Sequence, residues 1–301
     1  LIRYKDQFKD KIVYCNCDDP TWSAFWKYFH LNFSALGLKK LISTHYDKNE
    51  PTYKMEYTGG DDNDIEVGVK TPLEGNGDFR NQECLDLLDE ADIVVTNPPF
   101  SRFVTNDNGY GYINTLLDYN KKFLVIGNKN ALTYKDIFPL IKNNRLWVGC
   151  MSMSQDLLFT VPKEHEAHLK ATKKEGSGWK IIDGIMYARS ASIWFTNLDH
   201  KKRHEKLILW KNYTPEEYPY YDNYDAINVD KVELIPCDYK GVMGVPITFL
   251  DKYNPEQFEI IDSRTITNIP KLIDKNTMLI KDKDGCINGN AKYARICIRY
   301  K

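Results

Sequence analysis

The stretch ADIVVTNPPFSRF, residues 91–103, decides how the chain is read. Its short apolar, β-branched run has the composition of a buried strand. The run ends at Asn97, where Pro98 and Pro99 fix φ and remove two backbone donors. An aromatic ring, Phe100, follows directly. A rigid turn after a strand is the bland reading, because Asn-Pro is common in turns. Four specified residues directly after a buried strand are a sharper signal, and their meaning depends on the segments around them.

Upstream, KIVYCN (11–16) reads as a buried strand, followed by DDPTWSAFWKYFHLNFSAL (18–36). Asp18 or Asp19 is expected to cap a helix whose first turn contains Pro20. Trp22, Phe25, Trp26 and Phe29 are spaced to share one helical face, and core packing accounts for most of them. KKLISTHYD (39–47) is a second strand. YKMEYTGGDDNDIEVGVKTPLEG (53–75) is a hairpin-like excursion, and NGDF (76–79) precedes the polar-apolar helix RNQECLDLLDEA (80–91). Downstream, GYINTLLDYN (111–120) is helical, KKFLVIGNK (121–129) is a strand, and YKDIFPLIKNN (134–144) is a helix feeding RLWVG (145–149). Strands separated by helices predict an α/β sheet with its ligands at the carboxyl ends of the strands.

From about residue 150 the pattern changes. DLLFTVP (156–162) and GIMYARSASIWFTNL (184–198) read as long strands joined by a polar, lysine-bearing loop, which predicts an antiparallel edge on the sheet. VPITFL (245–250), FEIIDS (258–263) and YARICIRY (293–300) read as strands of a C-terminal extension. The expected division is a core of residues 1–206 and an extension of residues 207–301.

The 301 residues are 42% hydrophobic and 28% charged, in the range of ordinary globular proteins, and the formal net charge is −1. A nucleic-acid partner would therefore need lysines segregated onto one face; HLKATKKEGSGWK (168–180) and HKKRHEK (200–206) are the strongest basic patches. The apolar runs are too short to span a bilayer, and no charged segment followed by an apolar stretch opens the residues given. Seven scattered cysteines favour reduced thiols and a cytoplasmic protein. Cys15 and Cys17 have no second close pair to complete a zinc site, so no metal is expected.

At the strand ends, residue types suggest a chemistry. The Pro98 carbonyl can point outward from its stiff scaffold beside the Asn97 side-chain oxygen. Two converging acceptors next to Phe100 suit an exocyclic amino group on a planar heterocycle, which would stack on the ring. Such bonds aim the nitrogen lone pair out of the ring plane, toward an electrophilic methyl group. Asp78 can accept a hydrogen bond from a cofactor's adenine amino group while Phe79 packs on its face, or Asp78 can cap the following helix. Asn16, Asp18 and Asp19 sit where an α/β sheet receives its cofactor. Asp47, after the second strand, is either a ribose ligand or a surface carboxylate. Arg102 is placed to approach a phosphate.

The order YCNCDDPTWSAFWKYF, EGNGDF, DIVVTNPPF, KKFLVIGNKN and SIWFTNL, extending through VPITFLDKYNPEQFEI, resembles the EcoRI-type family of adenine-specific DNA methyltransferases over nearly the whole chain. The resemblance implies a Rossmann-like S-adenosylmethionine-dependent methyltransferase sheet. It implies that Asn97, Pro98, Pro99 and Phe100 form the catalytic motif for a flipped adenine, and that Asp78 and Phe79 hold the cofactor's adenine. Cys15 to Asp19 would occupy the first cofactor motif, although CNCDDP lacks the glycines usual there. Phe195 and Asn197 would lie in a later wall of the active site, Phe195 against the target base. The implied partner is double-stranded DNA, with a cognate restriction endonuclease in the same system and the C-terminal extension contributing to target recognition. NPPF is shared by methyltransferases of other amino substrates, so ribosomal RNA adenine and protein glutamine stay open as substrates. A non-catalytic nucleic-acid-binding module of the same fold is the remaining alternative.

Overall fold

A computed structural model describes residues 1–104, 111–261, 286–292 and 295–301. The chain forms two compact units, Leu1–Ile137 with Leu146–Leu198, and Phe138–Arg145 with Asp199–Lys301.

The first unit is built on an eight-stranded sheet. Its strands are β1 (Ile12–Cys15), β2 (Lys40–Thr44), β3 (Tyr53–Tyr57), β4 (Val69–Pro72), β5 (Ile93–Thr96), β6 (Lys122–Asn128), β7 (Trp147–Val148) and β11 (Ser192–Thr196), in the order β4-β3-β2-β1-β5-β6-β11-β7. The central four, β2-β1-β5-β6, are parallel. β3 joins β2, and β11 joins β6, antiparallel. The expected α/β sheet is therefore present, with antiparallel strands at both margins. Burial explains the parallel centre, because β1 and β5 are buried along their whole length and no polar face is left for water.

Val13, Cys15, Leu41, Ile93, Val95 and Leu124 pack on one face with Trp26 and Phe29 of α1 (Ala24–Leu31) and Phe33 of α2 (Phe33–Leu36). α3 (Gln82–Glu90) turns Cys84, Leu87 and Leu88 inward, and α4 (Tyr112–Asp118) buries Tyr112, Ile113 and Leu116. α1 begins later than its sequence suggests: the cap is Ser23, whose Oγ accepts from the Phe25 and Trp26 amides at 3.1 and 3.3 Å. Asp19 instead caps a local turn, accepting from the Thr21 amide and hydroxyl at 2.8 and 2.7 Å. Trp22 consequently falls outside the helix and is exposed, so it does not join the buried stripe.

The segment expected as one long strand at 184–198 divides at Ala191. β10 (Ile185–Ser190) pairs with β8 (Leu157–Thr160) and β9 (Trp179–Ile182) in a separate three-stranded sheet, whereas β11 enters the main sheet. The intervening loop likewise contains a helix, α6 (Lys163–Thr172), together with β9.

The second unit includes the short helix α5 (Phe138–Lys142), which buries Phe138 and Ile141. Here β12 (Ile227–Asn228), β13 (Met243–Pro246), β17 (Arg295–Tyr300) and β14 (Phe258–Ile261) form a sheet in that order, and β15 (Cys286–Ile287) pairs with β16 (Asn290–Ala291). Phe249, Phe258 and Tyr300 pack edge to face beside the sheet. Of VPITFL only Val245 and Pro246 are strand; residues 247–252 form a 3-10 turn, because the proline ends the ladder. The ends of FEIIDS (262–263) and YARICIRY (293–294) lie outside the described residues. No helix among the described residues is long and apolar enough to cross a membrane.

Candidate active site

From β1 the chain moves by way of α1 to β2 on one side, and later returns through α3 to β5 on the other. The carboxyl ends of β1 and β5 thus flank a topological switch point, where an open α/β sheet leaves a crevice for ligands. Asn97, Pro99 and Phe100 emerge there. Asn97 is exposed, Pro98 is buried, and Phe100 keeps 42% of its surface accessible although it is apolar. Phe103, three residues on, is buried against Phe195 with ring centroids 5.0 Å apart. The corner therefore presents an amide and a ring to solvent from a base anchored in the core.

The turn after β1 supplies the anchor on the other side. Cys17 has φ of 77°, in the left-handed region that glycine enters most cheaply, so this glycine-free turn still makes a glycine-type bend. Behind it, Asp18 is turned inward. Its Oδ1 accepts from Ser23 Oγ at 3.0 Å, and its Oδ2 lies against Thr96 Oγ1 and accepts from the Asn97 amide at 3.3 Å. Ser43 Oγ, at the end of β2, donates to the Asp18 carbonyl. Burial pushes the Asp18 carboxyl up to about 6, against the pull of the Thr96, Ser23 and Asn97 bonds. Asn16 is also buried, with Oδ1 taken by the Tyr112 hydroxyl from α4. Cys15 is buried, and the half-buried Cys17 thiol is pushed well up by desolvation and by the Asp18 and Asp78 carboxylates. It stays a neutral thiol rather than becoming a nucleophile.

Two more loops complete this edge. The Asp47 amide donates to the Asn76 carbonyl at 3.2 Å, zipping the loop after β2 to the GNGDF turn. Gly77 has φ of 72°, and a Cβ there would run into the His45 carbonyl. Only glycine permits this approach. Asp78 is gripped by Arg80, whose Nε lies 2.8 Å from Oδ1 and whose Nη2 lies 2.6 Å from Oδ2. These hydrogen bonds outweigh desolvation and, with the Arg80 and Arg102 charges, hold the carboxyl low. The Arg102 charge is thus felt at Asp78. Phe79 is buried edge-on to Tyr112, with centroids 5.0 Å apart. Asp47 accepts from the Asn49 and Glu50 amides at 2.7 and 3.1 Å. Asp19 lies 2.7 Å from His45 Nδ1; burial would raise its carboxyl, but the Thr21 bonds and His45 hold it low.

The structure therefore gathers Asn97–Phe100, Arg102, Cys15–Asp19, Asp47, Asp78 and Phe79 on one edge. It does not bring Phe195 and Asn197 there. Phe195 is wholly buried in β11 and offers no face to a base. Asn197 Oδ1 accepts from the Phe123 amide at 2.9 Å, and its Nδ2 donates to the Lys121 carbonyl at 2.8 Å. Phe123 belongs to the start of β6 and Lys121 immediately precedes it. β11 runs antiparallel, so Ser192 pairs with Asn128 at the site edge while Asn197 reaches the opposite edge.

Sequence reasoning missed Thr96, Ser43, Tyr112, Gly77 and Arg80. The first three carry no local signal, because their partners lie tens of residues away. Gly77 had one, in the paired glycines of GNG.

The profile of the family described as adenine-specific methyltransferase EcoRI matches residues 1–301. The chain is 44% identical to type II methyltransferase M.EcoRI of Escherichia coli, covering 100% of this chain and 89% of that one. It is 37% identical to type II methyltransferase M.MgeORF184P of Mycoplasma genitalium, covering 99% and 91%. Identity to M.MpnI of Mycoplasma pneumoniae is 36%, covering 99% and 90%. No solved structure matches the chain.

Proposed function

The chain belongs to the family of adenine-specific methyltransferase EcoRI, and on that premise we propose that it methylates the amino group of adenine in double-stranded DNA at the Asn97–Phe100 corner. The observation that carries the site assignment is an exposed Asn97 and Phe100 on a proline corner at the β1/β5 switch point.

S-adenosylmethionine supplies an electrophilic methyl on a sulfonium. The donor set on this edge fits such a cation-bearing, hydroxyl-rich molecule, because Asp19, Asp47 and Asp78 are carboxylates held ionised below their ordinary range. Asp78 remains able to accept an adenine amino proton while held by Arg80, since a carboxylate has about four acceptor positions. Asn16 and Asp18 are buried, and support the loops rather than offering surface.

In a duplex the adenine amino group is out of reach of such a crevice, so the base must be extruded. Asn97 Oδ1 and the Pro98 carbonyl then accept the amino protons, and Phe100 stacks on the ring. Both acceptors hold the nitrogen lone pair out of the ring plane. Arg102 offers a charge to a neighbouring phosphate. Asn97 orients and does not act as a base, because an amide has no basic lone pair at neutral pH. The surplus proton leaves to water, and no covalent intermediate calls on a cysteine.

The test is to incubate the protein with labelled cofactor and with duplex DNA, RNA and protein in parallel, then map N6-methyladenine at single-base resolution. Label in DNA alone is expected; label confined to RNA or protein overturns the substrate. Asn97→Ala should lower methyl transfer by about 10²-fold, the scale of losing alignment in a positioned reaction, with cofactor affinity unchanged. Equal turnover in that variant would remove Asn97 from the mechanism. A type II setting further implies an endonuclease whose cutting the methyl group blocks, and protection of methylated DNA from digestion would identify it.

A further inference from the structure

We propose that Asp18 is a positioning residue for the Asn97–Phe100 corner rather than a ligand of the cofactor. This rests on the reading of that corner as the place of methyl transfer.

Three donors meet at the one carboxylate. Oδ1 takes the hydroxyl of Ser23, which at the same time caps α1. Oδ2 takes the Thr96 hydroxyl at the end of β5 and the main-chain amide of Asn97 itself. Ser43 of β2 fastens the Asp18 main chain from below. With only 5% of its surface accessible, the side chain faces the interior and spends its acceptors there. Pro98 and Pro99 have no amides to donate, so the Asn97 amide, just after β5, is the last main-chain donor by which the corner can be tied. The tie orients the residue whose side chain holds the substrate nitrogen, with no contact to substrate of its own.

The same bonds make the tie sensitive to protonation. Asp18 accepts from the Asn97 amide best as a carboxylate, and burial brings the loss of that charge to about pH 6. The titratable groups facing it are Cys15 and Cys17 from its own segment and Tyr112 from α4, each held neutral by burial well above its ordinary value. None of them changes charge between pH 5 and 8. Thr96, Ser23 and Asn97 do not titrate. Above pH 6 the ionised carboxylate holds the Asn97 amide; below pH 6 the protonated carboxyl releases it.

The experiment uses the full chain with Asp18→Asn and, as a variant that keeps the carboxylate, Thr96→Val. Exchange of the Asn97 amide with solvent is followed between pH 5 and 8 without cofactor, after correction for intrinsic pH dependence. Wild type should show at least tenfold faster exchange below pH 6 than above pH 7, Asp18→Asn fast exchange throughout, and Thr96→Val an intermediate rate. With cofactor and DNA, kcat of both variants should fall at least tenfold with cofactor Kd within threefold, and the wild-type acid limb near pH 6 should vanish in Asp18→Asn. Wild-type exchange at Asn97 in either variant would overturn the proposal. Cofactor affinity falling in step with kcat would also overturn it, and would make Asp18 a ligand. Absence of methyl transfer by the wild type on any DNA would fail the methyltransferase reading, while the exchange measurement would still decide the tie.

Discussion

Asp78 shows how far a single residue could be understood from its neighbours in the chain. The GNGDF turn marked it as an acceptor that either meets a cofactor or caps a helix, and neither description included Arg80, two residues on, whose guanidinium occupies both of its oxygens. Asp78→Ala should weaken cofactor binding by about 10- to 100-fold, the scale of a lost hydrogen bond to a charged group, while leaving turnover at saturation close to wild type. Calorimetric titration checks the first part, and an unchanged Kd would leave Asp78 as a partner of Arg80 alone. The chemistry proposed for Asn97–Phe100 could be read locally because it lies within four consecutive residues. Asp18 was legible only as a carboxylate in the right place: its partner Thr96 is 78 positions away. No local pattern tells whether such a side chain points out to a ligand or in to a strand.

Among the elements, the parallel centre could be read from apolar runs alternating with amphipathic helices, because both depend on periodicities contained in short windows. Strand direction and partner choice depend on the whole sheet. That is why SIWFTNL reads as a strand from its own residues, while the edge of the sheet to which Asn197 is carried does not. Antiparallel entry puts its two ends about 13 Å apart along the sheet, from Ser192 beside Asn128 to Thr196 beside Leu124. The GNGDF turn is the element most exposed to a small change. Gly77→Ala combines a positive φ with a collision against the His45 carbonyl. It should destabilise the first unit by about 1–3 kcal/mol and loosen cofactor binding with it. Thermal unfolding and cofactor titration of the same variant would check both; an unaltered midpoint would show that the turn is free to adjust.

Across the whole molecule, a formal net charge of −1 leaves affinity for a polyanion to local patches. Several side chains of the 200–206 segment have internal partners: Lys202 lies 3.7 Å from Asp251, Arg203 donates to Asn144 at 2.8 Å, and His204 Nε2 lies 2.8 Å from Asp199 Oδ1. In contrast α6 and the turn after it carry exposed Lys163, Lys173 and Lys174, only Lys170 among their lysines being drawn to a carboxylate, Glu166 at 3.6 Å, and α6 buries none of its side chains. Replacing Lys173 and Lys174 together by Ala should weaken DNA binding to a similar extent on every sequence. It should also reduce the slope of log K against log salt by about 2, close to one unit for each phosphate that is no longer neutralised. An unchanged slope would place the duplex elsewhere. Base contacts depend on a few side chains, which is why composition carries no trace of them in residues 207–301.

Gly127 of β6 has no side chain, and the rings of Phe103 and Phe195 occupy the space; a Cβ there would come within 2.6 Å of Phe103 and 2.8 Å of Phe195. Phe103 sits three residues beyond Phe100, so a methyl group added at 127 would be transmitted to the Phe100 ring without touching it. Gly127→Ala is accordingly expected to lower turnover, and a selection for regained methylation should return smaller side chains at 103 or 195 rather than changes at the corner. The identity of a residue on β6 thus limits which aromatic residues can follow the proline corner, and substitutions at the three positions should compensate one another.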